Sequence, residues 1–207
     1  MKLPEPPLLV ITDRRQARRS LTEIAEAAFR GGCRWFSLRE KDLRAAERRP
    51  LLAELVELGR GFGAVVMAHD DIDAVLATGA AGVHLPGGSD PAAARRSLPQ
   101  ALIGVSAHSA AEAVAQLRAG ADYVTLSPIF LTDSKPGYGP AIGLDALAAA
   151  ASNAPGPIVA LGGITPDNAA QCLSAGARGI AVMGEIMRAD PEASIRRLLA
   201  VLADKPK

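Results

Sequence analysis

Eight short apolar runs recur along this chain at intervals of about twenty to thirty residues, at 8–12, 35–39, 64–68, 82–85, 102–106, 123–127, 158–161 and 179–183. Each is followed by a polar break and then by an alanine-rich or leucine-rich stretch with helical spacing. Most of the runs are continuous rather than alternating, which is how a strand reads when both of its faces are covered, as parallel strands in βαβ units are. Four of them are entered through nearly the same turn: Gly32-Cys33-Arg34-Trp35, Gly79-Ala80-Ala81-Gly82, Gly120-Ala121-Asp122-Tyr123 and Gly176-Ala177-Arg178-Gly179. A glycine just past a helix takes the left-handed conformation that closes it, and the small residue after it lets the chain drop into the next strand. Eight such units in 207 residues predict an α/β protein, a single (β/α)8 TIM barrel domain spanning 1–207. The rival, an open doubly wound sheet, would carry a G-x-G-x-x-G turn after its first strand; Thr12-Asp13-Arg14-Arg15 has no glycine.

Charge narrows the partners. The formal net charge is +1, so there is no global field to hold a polyanion, and nucleic acid is not expected. The arginine pairs, such as Arg48-Arg49 and Arg196-Arg197, are interleaved with acidic residues and read as a solvated outer face. Cys33 and Cys172 stand far apart and outside any metal-ligand spacing, so both are expected to be buried, reduced thiols. The apolar run after the first prolines is short and is broken by Asp13, which fits neither a signal peptide nor a membrane span. The expected home is the reducing cytoplasm, with no membrane partner; a homo-oligomer is compatible with this surface.

In a barrel of this kind the active site is built from the loops after the strands, so polar residues at strand C-termini are the candidates. They are Arg39 and Lys41 after strand 2, His69 and Asp70 after strand 3, Ser106 and His108 after strand 5, Ser127 with the loop carrying Thr132, Ser134 and Lys135 after strand 6, and Gly162-Gly163 after strand 7. Arg39 and Lys41 are two apart and are expected to point the same way, toward an anion such as a diphosphate; internal pairing with Glu40 or Asp42 is the bland alternative. Gly162-Gly163-Ile164 leads into Thr165-Pro166-Asp167-Asn168, where Thr165 is expected to cap a helix beginning at Pro166 and the glycines to bare backbone N–H groups for a phosphate. Asp70 is placed to hold magnesium between protein and diphosphate, whereas Asp71 reads as the start of the next helix. His108 reads equally as a positioned side chain or as an acid or base. The loop over 128–143 is long for a compact barrel, which suggests a cover for a phosphorylated ligand.

Together these residues resemble the thiamine phosphate synthase family and its relative, the thiazole tautomerase. The resemblance covers nearly the whole chain and rests on Leu38-Arg39-Glu40-Lys41, Gly82-Val83-His84-Leu85, Gly104-Val105-Ser106-Ala107-His108-Ser109, Ala121-Asp122-Tyr123-Val124, Thr132-Asp133-Ser134-Lys135 and Gly162-Gly163-Ile164-Thr165-Pro166-Asp167-Asn168. It implies a transferase that joins hydroxymethylpyrimidine diphosphate to hydroxyethylthiazole phosphate with magnesium, releasing diphosphate. Carried over by motif, Arg39, Lys41, Ser106 and Lys135 would hold the pyrimidine diphosphate, with His69 beside them. Asp70 would bind magnesium, and Thr132, Ser134 and Gly162 or Gly163 would hold the thiazole phosphate. Catalytic roles would fall to Lys135, Arg39, Lys41 and His108.

Four departures fall on ligand positions. The synthase pattern has glutamine where Ser37 stands, asparagine where His69 stands, a Gly-Gln-x-Asp segment where this chain reads Pro86-Gly87-Gly88-Ser89, and a serine where Gly184 stands. The tautomerase branch is implied by Leu85-Pro86 and Ala181-Val182-Met183, but its catalytic histidine falls on Pro128, which cannot move a proton. A barrel that binds a thiamine precursor without turning it over is the third reading, kept open by the missing Gly-Gln-x-Asp segment.

Overall fold

The computed structural model describes residues 2–132 and 140–204. Eight parallel strands, β1 (Leu8–Ile11), β2 (Trp35–Leu38), β3 (Val65–His69), β4 (Gly82–Leu85), β5 (Leu102–Ala107), β6 (Tyr123–Leu126), β7 (Ile158–Leu161) and β8 (Gly179–Val182), form a closed barrel in chain order. β8 pairs back onto β1, with Leu9 opposite Ala181. The helices α1 (Leu21–Arg30), α2 (Ala45–Gly61), α3 (Ile72–Thr78), α4 (Pro91–Ser97), α5 (Ala110–Arg118), α6 (Gly143–Asn153) and α7 (Ala169–Ser174) each follow a strand. After β8 come the short α8 (Gly184–Arg188) and α9 (Pro191–Ala203), and α9 packs on α1 so that the helical ring closes with the sheet.

All eight predicted runs are strands, with ends shifted by a residue. β2 stops at Leu38 because the next amide leaves the ladder: Arg39 N donates to the side-chain oxygen of Thr12 at 2.8 Å. The four recurring turn glycines have φ of +105°, +69°, +105° and +96° at Gly32, Gly79, Gly120 and Gly176, the left-handed closure their position demands.

Alternation along the strands divides the apolar residues into two compartments. Leu8, Val10, Phe36, Val83 and Val105 face the helices, whereas Leu9, Ile11, Trp35, Met67, Leu102 and Tyr123 fill the barrel, where Leu3 from the N-terminal segment packs against them. Trp35 and Tyr123 meet edge to face at 4.7 Å, and the Trp35 indole N–H points at the Met67 sulfur at 3.0 Å. Space for the Tyr123 ring, and for the close approach of β5 to β4, is made by glycine. Gly104 lies directly opposite Tyr123 in register, and a Cβ there would run into the Tyr123 ring; at Gly82 it would run into the Leu102 carbonyl.

Both cysteines are buried and free, and burial pushes their thiols up to about 12 at Cys33 and about 11 at Cys172, so neither is a thiolate at neutral pH. No helix among the described residues is long and apolar enough to cross a membrane.

The glycine openings give a first test. Gly104→Ala should lower the stability by about 1–3 kcal/mol or more, because the added methyl must displace a packed ring; a wild-type urea midpoint for the variant would contradict this account of the barrel interior.

Candidate active site

β2 delivers Arg39, Glu40 and Lys41 to the C-terminal rim. Glu40 is only 2% exposed, and its carboxylate accepts the Arg14 amide at 3.0 and 3.2 Å. The Arg14 guanidinium in turn pairs with Asp42 at 2.7 Å. Burial pushes the Glu40 carboxyl up, with its hydrogen bonds to Thr12 and Arg14 opposing that shift. The acids beside Arg39 and Lys41 are therefore engaged by Arg14, and among the described residues no carboxylate lies within ion-pair distance of Arg39 or Lys41. Arg39 is half-buried. Lys41 lies exposed in the turn beyond the strand, so the strand alternation expected to aim both cations alike ends before it is reached.

Below the rim lies a polar layer in which Ser106, an expected ligand, is joined by His84, Tyr123 and Thr125, which were not among the candidates. His84 is 1% exposed, with Nδ1 at 2.9 Å from the Tyr123 hydroxyl and Nε2 at 3.0 Å from Ser106 Oγ and 3.3 Å from Thr125 Oγ1. The His69 ring stacks on it at 5.3 Å. A neutral imidazole offers one donor and one acceptor nitrogen, which this set of hydroxyls satisfies. Burial, and then the positive charge of Arg39, hold His84 down to about 3. Its strand parity is the signal that was available: β4 turns His84 inward between Gly82 and Pro86, so a histidine there must find partners inside the barrel.

At the end of β3, Asp70 is exposed with φ of +53°, and its amide donates to the His84 carbonyl at 2.9 Å. Asp71 is the N-cap of α3, accepting the Ala74 amide at 2.8 Å, and pairs with Arg48 at 2.8 Å. Burial alone would raise the Asp71 carboxyl, but the Arg48 and Ala74 contacts hold it below the usual carboxylate range. Asp90 likewise caps α4. Among the described residues no three His, Cys, Asp or Glu side chains cluster as a metal site. Magnesium typically takes one or two carboxylates and completes its shell with water and substrate phosphate, so a single exposed carboxylate such as Asp70 is compatible with it. His108 is exposed, and its Nδ1 lies 3.0 Å from the Ser127 carbonyl, which only accepts; the proton therefore sits on Nδ1 and the basic nitrogen is Nε2.

A cavity of about 400 Å³ opens between the C-terminal ends of β6, β7 and β8, with Ser127, Thr132, Gly162, Gly163 and Gly184 in its wall. Gly162 and Gly163 have φ of +100° and +64°. Their bareness admits the segment after β6: a Cβ on Gly162 would lie 2.7 Å from Pro128 Cα, and one on Gly163 would meet the Leu131 carbonyl. Ile129 N to Leu161 O at 2.9 Å and Phe130 N to Gly162 O at 3.1 Å stitch the two loops together. The expected Thr165 cap is corrected here. α7 begins at Ala169, because Asn168 closes the turn before it, accepting the Thr165 amide at 2.9 Å and donating to the Gly163 carbonyl at 2.8 Å. Thr165 faces the cavity instead.

The cavity thus gathers Thr132, Gly162 and Gly163. Arg39, Lys41, His69, Asp70, Ser106 and His108 stand at the C-terminal ends of β2, β3 and β5, outside its wall, and Ser134 and Lys135 lie outside the described residues.

Two tests follow from this geometry. The His84 pKa is depressed in the fold, so its contribution to stability is complete above the unfolded value of 6.5 and is lost as pH falls toward about 3. Urea unfolding across pH 6.5 to 4 should show wild type losing about 1.4 kcal/mol per pH unit more than His84→Gln; a pH-independent difference between the two would contradict a neutral His84. Gly163→Ala should displace the 128–131 segment and cost about 1–3 kcal/mol, and an unshifted unfolding midpoint would show that the close approach is not needed.

Comparison with known proteins agrees with this architecture. A family model described as thiamine monophosphate synthase matches residues 8–186. A putative thiamine-phosphate synthase of Geobacter sulfurreducens is 42% identical over 204 residues, covering 97% of this chain and 96% of that protein. The thiamine-phosphate synthase of Roseiflexus sp. is 42% identical over 198 residues, covering 94% and 84%. Among solved structures, thiamine phosphate pyrophosphorylase from Pyrococcus furiosus superimposes with a TM-score of 0.86 at 33% identity, covering 95% of each chain. With the match running from β1 into α8 and relatives alike over almost their full length, the chain belongs to the thiamine monophosphate synthase family.

Proposed function

We propose that this chain is a cytoplasmic transferase that condenses hydroxymethylpyrimidine diphosphate with hydroxyethylthiazole phosphate, forming thiamine phosphate and releasing diphosphate. What supports the reading is a pair of separate features at the C-terminal strand ends: Arg39 after β2, with no carboxylate within ion-pair distance among the described residues, and the glycine-walled cavity between β6 and β8. Two phosphorylated substrates need both.

In this reaction the bond from the pyrimidine methylene carbon to the diphosphate oxygen breaks, the pyrimidine stabilises the cation left behind, and the thiazole nitrogen forms the new C–N bond. Arg39 would grip diphosphate oxygens through its planar guanidinium, with Lys41 as a point charge beside it and the Ser106 hydroxyl, fixed by His84, as a further contact. Thr132, Ser134 and the backbone of Gly162 or Gly163 would hold the thiazole phosphate, and Lys135 would add its charge on the diphosphate. Asp70 is the carboxylate that would hold magnesium, which when bound neutralises charge on the departing diphosphate. The apolar part of the cavity wall, including Leu161, Ala181 and Met183, would keep water from competing with the thiazole nitrogen. His69 borders the pyrimidine side, and His108 Nε2 is the base nearest to hand for any proton that must move.

The tautomerase reading is less well supported. Pro128, which stands where that branch has its histidine, is buried against Gly162. The decisive assay is incubation with both precursors and magnesium. Thiamine phosphate and diphosphate should appear in equal amounts and neither should form without the metal; metal-free isomerisation of a thiazole phosphate carboxylate with no diphosphate release would overturn the proposal. Asp70→Asn should raise the magnesium concentration for half-maximal rate by about tenfold, and an unchanged titration would remove Asp70 from the site.

A further inference from the structure

Among the described residues, two charged side chains line the cavity between β6 and β8, Glu185 and Arg188, both on α8. They are engaged differently. Glu185 Oε1 is held from outside by α9, accepting from Ser194 Oγ at 3.0 Å and from Arg197 at 3.4 Å. Arg188 has no carboxylate within ion-pair distance among the described residues. Its Nη2 donates instead to Oε1 of Gln16, on the loop after β1, at 2.6 Å.

The Gln16 amide is set by its other end, where Nε2 donates to Asp13 Oδ2 at 2.6 Å and lies 3.7 Å from the Met183 sulfur. With Nε2 so directed, Oε1 is the atom presented to Arg188. A neutral acceptor fixes the direction of a guanidinium without cancelling its charge, whereas a carboxylate would do both. Gly184, in the same wall, brings no side-chain donor. The wall therefore combines the hydroxyl-bearing Ser127, Thr132 and Thr165 with one oriented cation.

We propose that Arg188, positioned by Gln16, is the charged ligand for the phosphate of the substrate bound in the β6–β8 cavity. This rests on the reading of that cavity as the thiazole phosphate site. Arg188 is a binding residue here and Gln16 a positioning residue; neither takes part in bond making.

The test is calorimetric titration with hydroxyethylthiazole phosphate and, separately, with the unphosphorylated alcohol. Wild type, Arg188→Ala, Arg188→Lys and Gln16→Ala would be compared after each is shown to melt as wild type does. Removing a charge-assisted contact should weaken binding of the phosphate by roughly 10- to 100-fold in Arg188→Ala and leave the alcohol unchanged. Arg188→Lys should restore part of the loss, and Gln16→Ala should weaken the phosphate by a smaller factor. Wild-type affinity of Arg188→Ala for the phosphate, or an equal loss for phosphate and alcohol, would overturn the proposal. Turnover separates the two readings. If wild type makes thiamine phosphate and Arg188→Ala keeps its KM for the thiazole, the role of Arg188 falls and the function stands; phosphate binding that depends on Arg188 without any product would leave Arg188 in place and overturn the function.

Discussion

The interior of a closed eight-stranded barrel is only as wide as the side chains that fill it. In this chain the interior is filled by the large rings of Trp35 and Tyr123, and Tyr123 fits because Gly104 leaves room beside it. The N-terminal half is thereby closely packed. Above it the inward positions become polar, with His84, Ser106 and Thr125 in one hydrogen-bonded set that touches the Tyr123 hydroxyl. A charge in that layer would lack compensation, which is why His84 stays neutral and why Arg39, the nearest cation, belongs to the rim and not to the core.

The same exchange of bulk for bareness shapes the rim. Gly162 and Gly163 leave the end of β7 open enough for the segment after β6 to lie against it, and that contact gives the cavity one of its sides. On the β1–β2 side, a different device is used: the buried Glu40 carboxylate captures the Arg14 amide and so ties the first loop to the second strand. Loops that would otherwise be independent are thus fixed in pairs, and the polar side chains they carry are held by the scaffold rather than by one another.

Much of this was legible in the residues. Continuous apolar runs, the repeated Gly-led turn and the absence of a glycine fingerprint after β1 lead to a closed parallel barrel, and polar residues at strand ends lead to the rim. What was less legible depends on contacts between distant segments. The helix start at Thr165-Pro166 follows local capping rules, yet Asn168 overrides it by bonding back to Gly163. The common direction of Arg39 and Lys41 assumed strand alternation as far as Lys41, three residues past the end of the ladder at Leu38. Arg188 carries no signal of its own, since nothing near it in sequence announces that Gln16, in the loop after β1, holds it at a cavity.

The central claim is that the C-terminal rim holds two phosphorylated groups at once, on distinct elements. A crystal structure of the protein soaked with hydroxyethylthiazole phosphate and a non-reactive pyrimidine diphosphate analogue tests it most directly. The account predicts the single phosphate against Gly162 and Gly163 in the β6–β8 cavity and the diphosphate against Arg39 at the end of β2. Density for either group away from this rim, or for both in one place, would contradict it.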